Sequence, residues 1–264
     1  MSMKEELRYD NSMNNSVKKT YFVADAHLGN RFLADPLAAE KKLVRWLDHI
    51  KEDAQAVYFL GDMFDYWYEY KYVVPKGHVR FLGKLAELSD SGIEIHLLIG
   101  NHDIWMFDYL PEEIGAMIHQ GPLTVDLPGA RFLLSHGDEI GKPPLGFRFL
   151  QSLFRNKFCQ FLYAGIHPRW SFAFARGWSL SSRKRGFPRI SANAEAAAKP
   201  LIDFAIEYLQ THSDINFFIF GHYHILLDKT LSTTSRLLVA GDWMKHFSYI
   251  QWDGNQLILR RFDI

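Results

Sequence analysis

The stretch Val57-Tyr58-Phe59-Leu60-Gly61-Asp62-Met63-Phe64-Asp65 runs four apolar residues into a glycine and then two carboxylates three positions apart. Four apolar residues rich in β-branched and aromatic side chains, stopped by Gly-Asp, read as a short buried strand. The same form recurs outward along the chain. Tyr21–Ala24 stops at Asp25-Ala26-His27, and Ile93–Ile99 at Gly100-Asn101-His102-Asp103. Arg131–Leu134 leads into Ser135-His136-Gly137-Asp138, and Phe217–Phe220 into Gly221-His222-Tyr223-His224. Helical periodicity fills Leu37–Lys51, His78–Leu88 and Ala194–Gln210, and further strands are expected at Leu237–Val239, Tyr249–Trp252 and Leu257–Arg261. Strands alternating with helices predict an α/β fold.

In an α/β sheet, ligands collect beyond the carboxyl ends of the strands. Five such ends would bring Asp25, His27, Asp62, Asn101, His136, His222 and His224 to one place. Asp and Asn oxygens mixed with imidazoles, and no thiolate, suit Mn, Fe or Zn. Seven donors are too many for one ion, and they divide between two if one carboxylate bridges. Two divalent ions roughly 3.5–4 Å apart clamp a phosphoryl group and lower the pKa of a shared water, so that metal-bound hydroxide is available for in-line attack on phosphorus. Gly61, Gly100, Gly137 and Gly221 stand where the backbone must turn and come close. The remaining histidines, His49, His78, His96, His119, His167, His212 and His246, read as surface or structural, and Gly241-Asp242-Trp243 reads as a turn.

Composition narrows the class. The 264 residues carry 30 Lys+Arg and 30 Asp+Glu, so the chain is neutral overall and not a general binder of nucleic acid. One cysteine, Cys159, allows no intrachain disulfide and fits a cytoplasmic protein. The longest uncharged run, Ile215–Leu227, is 13 residues, short of the roughly 20 needed to span a bilayer. Met1–Lys19 is polar, without the apolar core of a secretory signal.

Charge is distributed in blocks. No Asp or Glu occurs between Glu139 and Glu195, a stretch with ten Lys or Arg and eleven aromatic residues. Phe147, Leu150, Phe154, Phe158, Phe161 and Leu162 recur at helical spacing, and Pro168 opens a second helical stretch, Trp170–Leu180. The domain expectation is therefore one domain over 1–264 with a basic, aromatic-rich helical cap inserted at 140–194. Such helices lie on anionic membrane surfaces or line pockets for anionic amphiphiles.

Taken in order, Asp-x-His, Gly-Asp-x-x-Asp, Gly-Asn-His-Asp, His-Gly-Asp and Gly-His-x-His resemble the calcineurin-like metallophosphoesterase superfamily, from Asp25 to His224. The resemblance implies a four-layer α/β/β/α sandwich. It implies one ion on Asp25, His27, Asp62 and His224, and another on Asp62, Asn101, His136 and His222. It gives His102 a catalytic role toward the phosphoryl or leaving oxygen, with Asp65 orienting it. The motif spacing, the aromatic phrase Gly61–Tyr70 and the basic insertion further resemble the UDP-2,3-diacylglucosamine hydrolases of lipid A synthesis. That family cleaves a pyrophosphate to release UMP and 2,3-diacylglucosamine 1-phosphate, uses manganese, and sits on the cytoplasmic face of the inner membrane. The likeness implies substrate contacts from Asn101, His102, Ser182, Arg183, Arg189 and His222, a UDP-linked diacylated sugar lipid and an anionic membrane surface as partners, and no obligatory protein partner. The best-known branch has Arg at the His102 position, Glu at the Asp65 position, an acidic pair at Lys142-Pro143-Pro144, and Asn and Lys at Gly186 and Arg189. A soluble metallophosphoesterase acting on another nucleotide, phosphodiester or phosphoprotein is the alternative.

Overall fold

A computed structural model describes residues 18–141, 145–173, 177 and 193–263. Two sheets face each other. The first runs β11-β10-β1-β2-β3-β4, with β1 (Lys19–Val23), β2 (Ala54–Phe59), β3 (Glu94–Leu98) and β4 (Met117–His119) parallel. β10 (Ser248–Trp252) and β11 (Leu257–Arg261) close that side antiparallel. The second sheet runs β5-β6-β7-β9-β8. β6 (Ala130–Ser135), β7 (Phe217–Phe220) and β9 (Arg236–Ala240) are parallel, and β5 (Leu123–Leu127) and β8 (Leu226–Thr230) are antiparallel edges.

Alternation along each strand builds the layers, because successive side chains point to opposite faces. Phe22, Ala24, Tyr58 and Leu60 point between the sheets and meet Phe132, Leu134, Ile219 and Leu238. Tyr21, Val23, Val57 and Phe59 point outward, under α1 (Pro36–Ile50), α2 (Val79–Asp90) and α3 (Tyr109–Ile114). The far face of the second sheet is covered by α6 (Ala194–Ala197) and α7 (Lys199–Leu209), through Ala198, Leu201 and Ala205. The result is the expected four-layer α/β/β/α sandwich. Asp35 caps α1 by accepting from the Ala38 N–H at 2.9 Å, and Pro36 sits at its first turn. α2 has no side-chain cap of its own; buried Glu40 of α1 accepts from Arg80 and Phe81 N–H groups instead.

Two helices expected from periodicity are each divided. Ala194–Gln210 breaks at Ala198, because Pro200 lacks an N–H and begins a new helix. The first amphipathic run breaks at Asn156, which ends α4 (Leu145–Arg155) and caps α5 (Lys157–Ala164) by accepting from Phe158 and Cys159 N–H groups. A helical turn at 168–173 follows; the remainder of the Trp170–Leu180 stretch, apart from 177, lies outside the described residues. α3, β4, β5 and β8 were not expected. β4 has three residues, α3 contains Pro111, and β8 carries Asp228 and Lys229. Their patterns are too short or too interrupted to stand out.

α5 and the turn at 168–173 rest on an aromatic platform from the loop after β2 and from Trp105. Tyr163 stacks on Trp105 at 5.5 Å, and its hydroxyl meets that of Tyr66 at 3.1 Å. Tyr68 donates to the Gln160 carbonyl, Trp105 to that of Phe154, and the Tyr70 hydroxyl bonds to that of Ser171. No helix among the described residues is long and apolar enough to cross a membrane.

Candidate metal centre

The strand-end clusters meet at one edge of the sandwich. Asp25, His27 and His224 bring one ligand atom each within 4.8 Å of one another, and so do Asp62, His136 and His222. Asp62 Oδ2 stands between the two groups, 3.6 Å from His27 Nε2 and 3.4 Å from His136 Nε2. Asn101 Oδ1 lies 3.3 Å from His136 Nε2, the atom that His222 Nδ1 also approaches at 3.3 Å. All seven residues singled out in the sequence therefore converge.

The backbone is bent to achieve this. Asp25, His27, Asp62, His222 and His224 all have positive φ, between 41° and 65°. Such conformations cost a non-glycine residue on the order of 1 kcal/mol each, and they persist where the surroundings over-determine them. Gly61 (φ 90°) and Gly100 cannot be larger. A Cβ at Gly61 would lie 2.7 Å from His136 Nδ1, and one at Gly100 would collide with the Asp62 carboxylate.

Each site carboxylate has one oxygen tied down. Asp25 Oδ2 accepts from the His222 N–H at 2.8 Å, and Asp62 Oδ1 from the His102 N–H at 2.8 Å. Asp25 Oδ1, fully buried, accepts no hydrogen bond from any described residue and faces His27 Nε2 and His224 Nε2 at 3.8 and 3.6 Å. His136 donates from Nδ1 to the Leu60 carbonyl at 2.9 Å, which leaves Nε2 to the site. An orphaned carboxylate oxygen among imidazole nitrogens, 0% exposed, calls for a cation. Hard oxygens with imidazoles fit divalent ions.

The electrostatics agree. Burial, with Asp62 nearby, pushes the Asp25 carboxyl well above the usual carboxylate range. Burial also works against ionising Asp62, yet His136, His102 and His27 hold it well below that range. For His136, burial disfavours the charge, but Asp62, Asp25 and Asp138 more than offset it and raise the imidazole. Burial, then His136, lowers His222 to about 4, and burial lowers His224 to about 4.

His102 stands edge-on to His27 with ring centroids 4.7 Å apart. Its Nδ1 donates to the Asp65 backbone carbonyl at 3.0 Å, while the Asp65 carboxylate lies 3.7 Å from His27 Nδ1. The expected link from Asp65 to His102 thus runs through the main chain, because the loop after β2 turns its carbonyl toward the ring. Ser182, Arg183 and Arg189, like Lys142–Pro144 and Gly186, lie outside the described residues.

Two carboxylates carry weight that the sequence reading did not assign. Asp103, fully buried, accepts from the N–H groups of Asp62, Met63, Phe64 and Gly100, and so ties the ends of β2 and β3 together. Burial and the Asp62 charge push its carboxyl up to about 6. Asp242, read as a turn, is 3% exposed and lies 3.8 Å from His224 Nδ1. Its signal was the Gly-Asp that follows an apolar run, the same form as Gly61-Asp62.

A two-sheet sandwich whose strand ends gather carboxylate, amide and imidazole donors around an orphaned buried oxygen defines a metal-dependent phosphoesterase. The calcineurin-like phosphoesterase profile matches residues 18–226. The chain belongs to the calcineurin-like phosphoesterase family, and it is a metallophosphoesterase hydrolase. A Porphyromonas gingivalis protein named UDP-2,3-diacylglucosamine hydrolase is 46% identical over 256 residues, 93% of this chain and 98% of its own length. An Aeromonas salmonicida protein of the same name is 26% identical over 235 residues, 88% of each chain. A dimetal phosphatase structure from Danio rerio matches 93% of this chain and 96% of its own at a TM-score of 0.48 and 15% identity.

Proposed function

We propose that the protein hydrolyses the pyrophosphate of UDP-2,3-diacylglucosamine, adding water across the P–O–P link to release UMP and 2,3-diacylglucosamine 1-phosphate. The observation that carries this reading is the likeness to the P. gingivalis hydrolase at 46% identity along almost the whole of both chains. Two divalent ions, Mn²⁺ by preference, would be held by Asp25, His27, Asp62 and His224 on one side and by Asp62, Asn101, His136 and His222 on the other. Asp62 would serve both, in keeping with its Oδ2 standing between His27 and His136. When bound, such ions polarise phosphoryl oxygens and activate water for attack at phosphorus.

The side chains do the rest. His102, its Nδ1 committed to the Asp65 carbonyl, presents Nε2 to stabilise or protonate the departing phosphate oxygen. Asn101, His102 and His222 border the reacting phosphate, and Ser182, Arg183 and Arg189 supply contacts from the cap, the insertion at 140–194. Phe149, Phe158, Phe161 and Trp170 are mostly exposed, and Arg155, Lys157 and Arg169 stand exposed among them. Rings mixed with cations in this way suit acyl chains and an anionic membrane surface, which supports peripheral association at the cytoplasmic face of the inner membrane.

The test is to incubate purified protein and Mn²⁺ with UDP-2,3-diacylglucosamine and measure UMP by mass spectrometry, with bis-p-nitrophenyl phosphate in parallel. UMP release at micromolar lipid is expected. Turnover of the simple diester without any UMP would overturn the substrate and leave a phosphoesterase of other specificity.

A further inference from the structure

Outside the seven converging donors, the loop 241–247 after β9 carries the most unassigned chemistry. Asp242 is buried, and its two oxygens have separate tasks. Oδ1 accepts from the N–H groups of Met244, Lys245 and His246 at 2.8, 2.5 and 3.1 Å, which fixes the carboxylate to its own loop. Oδ2 accepts from His246 Nδ1 at 2.8 Å and faces His224 Nδ1 at 3.8 Å. The other nitrogen of His224, Nε2, faces Asp25 Oδ1 at 3.6 Å. The same loop holds Asp25 itself, since the Trp243 N–H donates to the Asp25 carbonyl at 3.1 Å. One turn, tied by its own hydrogen bonds, therefore sits behind two members of the Asp25, His27, His224 group.

An imidazole that offers one nitrogen to a cation needs the other protonated, and a carboxylate behind that second nitrogen selects the tautomer and raises the ring's basicity. At 3.8 Å the contact between Asp242 and His224 is electrostatic rather than a formed hydrogen bond. It still places a fixed negative charge on the Nδ1 side of the ring.

We propose that Asp242 is a positioning residue for His224, keeping the ring proton on Nδ1 so that Nε2 is presented beside Asp25 as a donor to a divalent ion. The assignment rests on the metal-centre reading above and is independent of the substrate. It gives the Gly241-Asp242 turn a place in the site rather than in the loop alone, and it makes the two ion positions unequal. Only the one that includes His224 depends on Asp242.

The experiment uses the full chain, metal-free, at pH 8. Long-range ¹H–¹⁵N histidine spectra, with the His224 signals assigned by their loss in His224→Gln, read the tautomer directly. In the wild type the His224 proton is expected on Nδ1, and in the isosteric Asp242→Asn a mixture of both tautomers. Mn²⁺ titration by calorimetry and EPR is then expected to show one of two sites weakened about 10–100-fold in Asp242→Asn and the other unchanged, with partial recovery in Asp242→Glu. His246→Ala, which removes the other partner of Oδ2, is expected to leave both affinities intact. A wild-type His224 protonated on Nε2, two undiminished sites in Asp242→Asn, or the same loss in His246→Ala would each overturn the proposal. Failure of the wild type to take two Mn²⁺ would count against the metal-centre reading instead, and the tautomer spectra would still decide the role of Asp242.

Discussion

Asp103 offers a severe test of how this centre is held. Its carboxylate is fully buried and takes four backbone N–H groups: Gly100 at 2.8 Å and Asp62 at 3.2 Å on Oδ1, Met63 at 2.7 Å and Phe64 at 3.3 Å on Oδ2. Asp103→Asn keeps one oxygen and turns an amide NH₂ toward two of those donors. Leaving a buried donor unsatisfied costs about 1–3 kcal/mol. With one strong and one long bond lost, the expected destabilisation is about 2–4 kcal/mol, and Asp103→Ala, which strands all four, about 4–8 kcal/mol. For a chain of this size that corresponds to melting points lower by about 5–15 °C in Asp103→Asn. The assay is urea and thermal unfolding of metal-free protein in EDTA, which separates the loss of turns from any loss of metal. A metal-free Asp103→Asn that melts within about 2 °C of the wild type would refute the reasoning. The four bonds would then contribute little net stability, and the two strand ends would be held by packing alone.

Four further outcomes are expected. His102→Ala keeps both ions by metal analysis and lowers turnover about 10²–10⁴-fold; a variant stripped of metal would show His102 to be a ligand. Loading metal-free protein with Mn²⁺ at pH 7 should release at least one proton, because burial raises the Asp25 carboxyl, and Asp62 and the other nearby carboxylates raise His136 against the effect of its burial, while His222 and His224 are already neutral down to about 4; calorimetry in buffers of different ionisation enthalpy reads this, and zero release contradicts the assignment. Phe158→Ser with Phe161→Ser should weaken flotation with anionic vesicles about tenfold or more per ring, from the apolar area withdrawn, while hydrolysis of a soluble diester is unchanged; undiminished flotation would show these rings to be idle. His96 Nδ1 lies 3.0 Å from His119 Nε2, and burial lowers the pKa of both. Such bases bind fewer protons folded than unfolded, so the stability they contribute is present above about pH 6.5 and lost as pH falls. His119→Gln should flatten the fall in unfolding free energy between pH 7 and 5, and an identical slope would exclude the pair as its source.

Much of this was legible in the order of residues. Short continuous apolar runs, each stopped by a polar cluster, specified buried strands and the ends at which donors collect, because run length and turn chemistry are local properties. The identities of Asp25, His27, Asp62, Asn101, His136, His222 and His224 were legible for the same reason, since each stands at such a stop. Periodicity overran the helices at Ala198 and Asn156, where a single proline or capping side chain outweighs an apolar stripe. It also passed over β4, β5 and β8, short or charged strands that exist because a neighbouring strand supplies their hydrogen bonds.

Only the folded chain decided how the donors face one another. That Asp62 Oδ2 lies between His27 and His136, that Asp65 reaches His102 through its carbonyl, and that Asp103 and Asp242 stand behind the site depend on contacts between segments up to two hundred residues apart. Spacing along the chain carries no record of such contacts. They arise because buried carboxylates must find donors and buried backbone groups must find partners, and those partners exist only once two sheets have closed on each other.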